Sequence, residues 1–102
     1  MDPTATVSMV QVGGLTRVSA TRSLTFEENY NTSIELSASA AADATVTTCP
    51  IPGLAWDVAN LSPSYNLILQ TTNAGTVTVA PLKSARVRVN GSGVMARVTP
   101  DT

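Results

Sequence analysis

Apolar and polar side chains alternate with a period of two through much of the chain. The pattern is cleanest in Thr76-Val77-Thr78-Val79, where the valines take one face and the threonines the other, as a half-buried strand requires. Turn-forming residues punctuate the alternation: Gly13-Gly14, Asn29-Tyr30-Asn31, Pro50-Ile51-Pro52-Gly53, Ser62-Pro63-Ser64, Asn73-Ala74-Gly75, Pro81 and Asn90-Gly91-Ser92-Gly93. The segments between them predict strands at Thr6–Val12, Leu15–Ala20, Ser23–Phe26, Ser33–Ser37, Ala44–Thr48, Ala55–Asn60, Asn66–Gln70, Thr76–Ala80, Ser84–Val89 and Val94–Thr99. Only Ser37–Ala44, with its Ala40-Ala41-Ala42 run, admits a short helical turn, and it reads as easily as a loop. Short strands at roughly eight- to twelve-residue spacing point to an all-β, antiparallel β-sandwich or jelly-roll-like single domain of about 8–10 strands. In this reading residues 1–12 form an N-terminal arm or first strand, ordered by a partner, and residues 13–102 form the β-sandwich domain.

The last hairpin allows a register to be argued. Val87 and Val89 share one face of the incoming strand, with Arg86 and Arg88 on the other; on the outgoing strand Val94, Ala96 and Val98 alternate with Met95 and Arg97. A two- or four-residue loop within Asn90–Gly93 sets the small apolar residues of both strands on one face, and a three-residue loop does so only with a bulge. That register places Arg86, Arg88 and Arg97 together on the opposite face.

Composition supports strands. Thr, Val and Ser supply 15, 12 and 10 of the 102 residues, and β-branched side chains fit a pleated sheet better than a helix. Six basic against seven acidic residues leave a net charge of -1, so neither nucleic acid nor an anionic membrane is an expected partner. The chain has no histidine, which removes His-containing triads, most zinc sites and histidine pH switches. Cys49 is the sole cysteine; with no histidine to activate it, it reads as a small buried hydrophobe beside Pro50. The start Met1-Asp2-Pro3-Thr4 lacks the basic and apolar regions of a signal peptide, so secretion by the usual route is not expected.

Candidate chemistry is sparse. Glu27 and Glu28 are adjacent, point to opposite faces if extended, and read as solvated loop charges. The triplets starting at Asn31, Asn60 and Asn90 match the glycosylation pattern, which a Ser/Thr-rich chain produces by chance. Trp56 reads as the core anchor, its indole N–H meeting a backbone carbonyl. With Phe26, Tyr30 and Tyr65 it makes four aromatics, too few for a sugar-stacking surface. The arginines remain: Arg86, Arg88 and Arg97 on the terminal hairpin, with Arg17 and Arg22 nearer the N-terminus. They form either a solvated outer face that blunts an edge or a docking face for acidic side chains, and Arg86, Arg88, Arg97 and Arg17 are the candidate partner contacts. No catalytic, cofactor or metal residues are assigned, and no enzyme is expected.

From Gly14 onward the order of features resembles the small β-structured modules of tailed-bacteriophage virion proteins, found in tail fibres and head decorations. The resemblance runs through Leu15-Thr16-Arg17, Ser33-Ile34-Glu35-Leu36, Trp56-Asp57-Val58-Ala59-Asn60-Leu61 and Asn66-Leu67-Ile68-Leu69-Gln70-Thr71. It continues through Gly75-Thr76-Val77-Thr78-Val79-Ala80-Pro81-Leu82-Lys83-Ser84-Ala85-Arg86-Val87 and Asn90-Gly91-Ser92-Gly93-Val94, covering about 85 residues. Leu82 stands where those modules have a turn glycine, and Asn90-Gly91-Ser92-Gly93 replaces their Asp-Gly-Thr-Asn. The resemblance implies a non-enzymatic capsid decoration or cement protein that binds the major capsid protein or other virion proteins as a homo-oligomer, dimer or trimer. Its place would be the virion, assembled in the bacterial host cytoplasm. The other readings are a tail-fibre, collar or baseplate component, and a host-surface carbohydrate-binding module. Segments 1–12 and 99–102 would be arms that order on the partner.

Overall fold

The computed structural model describes Gln11, residues 13–73 and residues 75–102. They are strand-rich, and a 3-10 helix at Glu27–Tyr30 is the one helical segment among them. The strands are β1 (Leu15–Val18), β2 (Arg22–Ser23), β3 (Ser33–Leu36), β4 (Ala44–Thr48), β5 (Ala55–Asn60), β6 (Leu67–Thr71), β7 (Thr76–Val79), β8 (Ser84–Val89) and β9 (Met95–Arg97). The bounds expected for β4, β5 and β8 coincide with those found, and β6 is shifted by one residue. The predicted strand Thr6–Val12 lies outside the described residues, apart from Gln11, which belongs to no strand.

The strands form two sheets, ordered β1-β3-β5-β8-β9 and β2-β4-β6-β7. The expected antiparallel pairing is corrected here, because both sheets are mixed. β1 pairs parallel with β3 and β3 with β5, while β2 pairs parallel with β4 and β4 with β6. Only the last partners, β5 with β8, β8 with β9 and β6 with β7, run antiparallel. From β1 to β6 the chain crosses from one sheet to the other after every strand, so successive visits to a sheet run in the same direction. Residue patterning reports which face is buried and carries no information on strand direction, which is why the sequence reading defaulted to hairpins.

The alternation itself holds. β4 and β6 bury every second residue, and β8 buries Ala85, Val87 and Val89 while exposing Ser84, Arg86 and Arg88. Inward residues of both sheets, among them Ile34, Leu36, Val58 and Val87 from one and Val46, Leu67, Leu69 and Val79 from the other, make one hydrophobic cluster. Trp56 sits within it at 0% exposure, but among the described residues no acceptor meets its indole N–H, so the expected bond to a carbonyl is not made there. A buried unpaired donor costs about 1–3 kcal/mol, which the burial of the large ring offsets.

The links between strands use side chains as struts. Asn60, at the end of β5, donates to the carbonyls of Tyr65 and Val79 and accepts from Ser62 N–H. Asn31 donates to Thr16 Oγ1, and Asn90 Oδ1 accepts from Ser92 and Val94 N–H. All three asparagines of the Asn-x-Ser/Thr triplets therefore serve turn geometry. The Ala40-Ala41-Ala42 stretch is not helical.

The terminal hairpin corrects the predicted register. Asn90 N–H donates to Val94 O and Gly93 N–H to Asn90 O, leaving a three-residue loop with Gly93 at φ 75. This is a turn followed by a left-handed glycine, and it pairs Val89 with Met95 and Val87 with Arg97. Met95 is buried beside the valines, and Val98 is exposed. A Cβ on Gly93 would lie 2.6 Å from Asn73 Nδ2 and 3.0 Å from Pro50 O, so glycine is required there twice over. Past β9, Val98 and Thr99 N–H both donate to Arg86 O and Thr102 N–H donates to Ser84 O. The C-terminal segment is thus held against β8 and is not a free arm.

The β7–β8 turn, closed by Lys83 N–H to Ala80 O, has Pro81 second and Leu82 third, with Leu82 at φ 61. Proline fixes a negative φ, so this is a type II turn, whose third position favours glycine. A leucine held there costs about 1–2 kcal/mol.

The orphaned indole donor gives a stability prediction. Trp56→Phe discards that donor while keeping most of the ring, so equilibrium urea unfolding should show a loss of about 1–2 kcal/mol, against roughly 3–5 for Trp56→Ala. Equal losses for the two variants would mean that the N–H is paired in solution.

Candidate functional site

The arginines singled out from sequence do not share one face. Strand register, parallel from β1 through β5 and antiparallel from β5 to β8, carries Leu15, Ser33, Asp57 and Arg86 in one row across the outer face of the first sheet, and Arg17, Glu35, Ala59 and Ser84 in the next. Arg17 therefore lies beside Glu35, with Nη2 2.9 Å from Oε1, and Arg86 beside Asp57, with Nη1 2.8 Å from Oδ1. Arg88 projects from the same face between Ala55 and Ala96 and has no ion pair among the described residues. Arg97 lies on the other side of its strand. Its guanidinium meets the Asp101 carboxylate and the carbonyl of Thr78 in β7, bridging the edges of the two sheets.

Crowded like charge was the sequence expectation, and the structure replaces it with alternating sign. Exposed pairs of this kind contribute at most about 1 kcal/mol each, so their effect is to fix side-chain direction and neutralise the face. Of the candidate contacts, Arg17, Arg86 and Arg88 come together on the outer face and Arg97 does not. Small residues at Ser33, Ala59 and Ser84 leave the middle of that face low, between Leu15 on one side and the Thr99–Thr102 segment on the other. The result is an open groove of about 630 Å³.

Two features escaped the sequence reading. Gln11 was assigned to the arm, yet its side-chain amide donates to the carbonyls of Asn29, Asn31 and Ala55 and accepts from Ala55 N–H. Glu28 was read as a solvated charge, yet it makes two bonds to Arg22, at 2.7 and 2.9 Å, and accepts from Thr25 N–H at 2.8 Å. Thr25 Oγ1 accepts from Glu28 N–H in return. This reciprocal arrangement is a capping box at the start of the 3-10 helix, and its signature Thr25-Phe26-Glu27-Glu28 was legible. Hydrogen bonds from Arg22, then from Thr25, hold the Glu28 carboxyl down at about 2. For Asp101, burial pushes the carboxyl up, but the Ala80 N–H and Arg97 outweigh it and leave it below its ordinary value.

Cys49 is half-buried rather than buried, and its N–H donates to Asn29 Oδ1. Phe26, 67% exposed, packs edge-on against Tyr30 with ring centroids 5.4 Å apart.

Comparison with protein-family models, with curated proteins and with solved structures returned no match.

The capping box predicts acid behaviour. The folded Glu28 carboxyl, at about 2, lies below its ordinary 4.5, so its contribution is complete above pH 4.5 and is lost as pH falls toward 2. Glu28→Gln should lower unfolding stability by about 1 kcal/mol at pH 7, with the gap closing as pH falls through that window. Urea unfolding at a series of pH values checks this, and a gap independent of pH would contradict it.

Proposed function

We propose that the chain is a non-enzymatic structural module of a phage virion, a decoration or cement protein that binds the major capsid protein shell. The observation that carries this reading is the outer face of the first sheet. It is a hydrogen-bonded sheet surface on which each of two neighbouring rows holds one arginine–carboxylate pair, Arg17 with Glu35 and Arg86 with Asp57, while Arg88 has no ion pair among the described residues. Such a surface suits a protein partner with a patterned charged face, and Arg88 provides attraction for an acidic group on it. The virion assignment rests on the resemblance of the segments that became β3, β5, β6, β7 and β8 to phage modules. The carbohydrate-binding reading is weaker, because Trp56, one of four aromatics, is enclosed in the core.

Co-sedimentation with capsids stripped of minor proteins tests the proposal. Saturation at a copy number that scales with the shell's subunits supports a decoration protein, whereas a handful of copies indicates a collar or tail position. Absence of binding overturns the decoration reading. Arg88→Glu should weaken shell binding about fivefold at low salt, equivalent to roughly 1 kcal/mol, and less at high salt. An unchanged affinity at low salt would return Arg88 to a solvated surface role.

A further inference from the structure

The β7–β8 turn breaks a local rule with no return inside the molecule. Leu82 is the one non-glycine residue with positive φ among the described residues, and its side chain is 65% exposed. Glycine would relieve the backbone and remove an exposed leucine. Departures of this kind, held in place by the surrounding structure, mark functional contacts. The surroundings do hold it: Leu82 N–H donates to Ser62 O, and Asn60 N–H donates to Lys83 O. Leu61, 42% exposed, precedes Ser62 in the loop to which the turn is tied, and Lys83 makes no ion pair among the described residues. The turn is therefore a rigid knob with an apolar tip and an adjacent ammonium group.

The groove on the first sheet has the complementary features. Leu15 and Ala59 supply apolar lining, and a volume of about 630 Å³ admits a turn tip and not merely one side chain. Glu35, Asp57 and Arg86 border it, and each carboxylate uses only one oxygen on its arginine, Oε1 and Oδ1 respectively. The second oxygens accept no hydrogen bond from the described residues, leaving two acceptors at the rim for an incoming ammonium group.

We infer that the Leu82–Lys83 turn of one copy docks into this groove on a second copy. Leu82 then lies against Leu15 and Ala59, and the Lys83 ammonium meets the Glu35 or Asp57 carboxylate. Inserted reciprocally, knob and groove close a two-fold dimer; inserted one way, they form a heterologous contact whose rotation determines whether copies close into a ring or extend. This contact occupies the groove on the face proposed for the shell and leaves Arg88, outside the groove lining, for the shell contact; it is tested without any capsid.

The experiment is sedimentation equilibrium of the full chain across a concentration series. The wild-type protein should self-associate, and Leu82→Gly should weaken association at least tenfold while leaving the thermal midpoint unchanged or higher. Ala59→Trp, which fills the groove, should also abolish association. Lys83→Glu should weaken it in a salt-dependent way and covers the case in which the tryptophan variant does not fold. Mixing Leu82→Gly, whose groove is intact, with Ala59→Trp, whose knob is intact, should restore a mixed dimer that neither forms alone. A wild-type protein that stays monomeric at the highest concentration, or a Leu82→Gly variant that associates as the wild type does, would overturn the inference.

Discussion

The structure depends on one constraint: every strand from β1 to β6 lies across the core from the next strand in the chain. An inward side chain therefore packs against residues from its immediate sequence neighbour and from the turns of chain stacked beside it. Ile34 and Val58 from one sheet and Val46 and Leu69 from the other belong to a single cluster. Neither sheet can shift by one residue without turning its apolar set to solvent, so the register of both is fixed together. Parallel pairing follows from the winding, since each return to a sheet is made in the same direction. The reversal at β6–β7 ends the winding, and Arg97 and Asp101 then tie the edge of one sheet to the edge of the other.

The same register builds the outer surface. Because Arg17 falls beside Glu35 and Asp57 beside Arg86, opposite charges neutralise one another across strands that are distant in sequence. Because Ser33, Ala59 and Ser84 are small, the face has a low centre. The Arg17–Glu35 neighbours and the row from Ser33 to Asp57 depend on the parallel pairing of β1, β3 and β5, which the alternation does not encode. The functional reading and the self-docking inference thus rest on the topology as much as on the identity of the side chains.

Burial was largely legible from sequence, and pairing was not. Thr76-Val77-Thr78-Val79 and Ser84–Val89 show their buried faces in the residue pattern, and β3 to β8 fall close to where expected, whereas β2 at Arg22–Ser23 meets the expected Ser23–Phe26 at one residue and the 3-10 helix at Glu27–Tyr30 stands outside the one segment expected to turn helically. Direction is invisible at that level, and no repeat betrayed the winding because equivalent positions such as Leu15, Ser33 and Asp57 share neither chemistry nor spacing. The terminal hairpin was misread for a different reason. Small apolar residues were taken to set its register, but the turn chemistry of Asn90 and Gly93 prevailed, and Met95 served the core equally well. That one-residue difference sent Arg97 to the far side and dissolved the predicted arginine cluster. The Thr25–Glu28 cap was readable from spacing, whereas the bonds of Asn60 to Tyr65 and Val79 and the meeting of Arg17 with Glu35 required the fold.

The most direct test is the direction of pairing between β3 and β5, measured as amide-to-amide and amide-to-α-proton NOEs in the isotopically labelled protein. The structure predicts contacts that advance together along both strands, from Ser33 with Asp57 through Ile34 with Val58 to Glu35 with Ala59. Contacts that advance along one strand while retreating along the other would contradict the parallel winding, and with it the groove and the alternating charge rows.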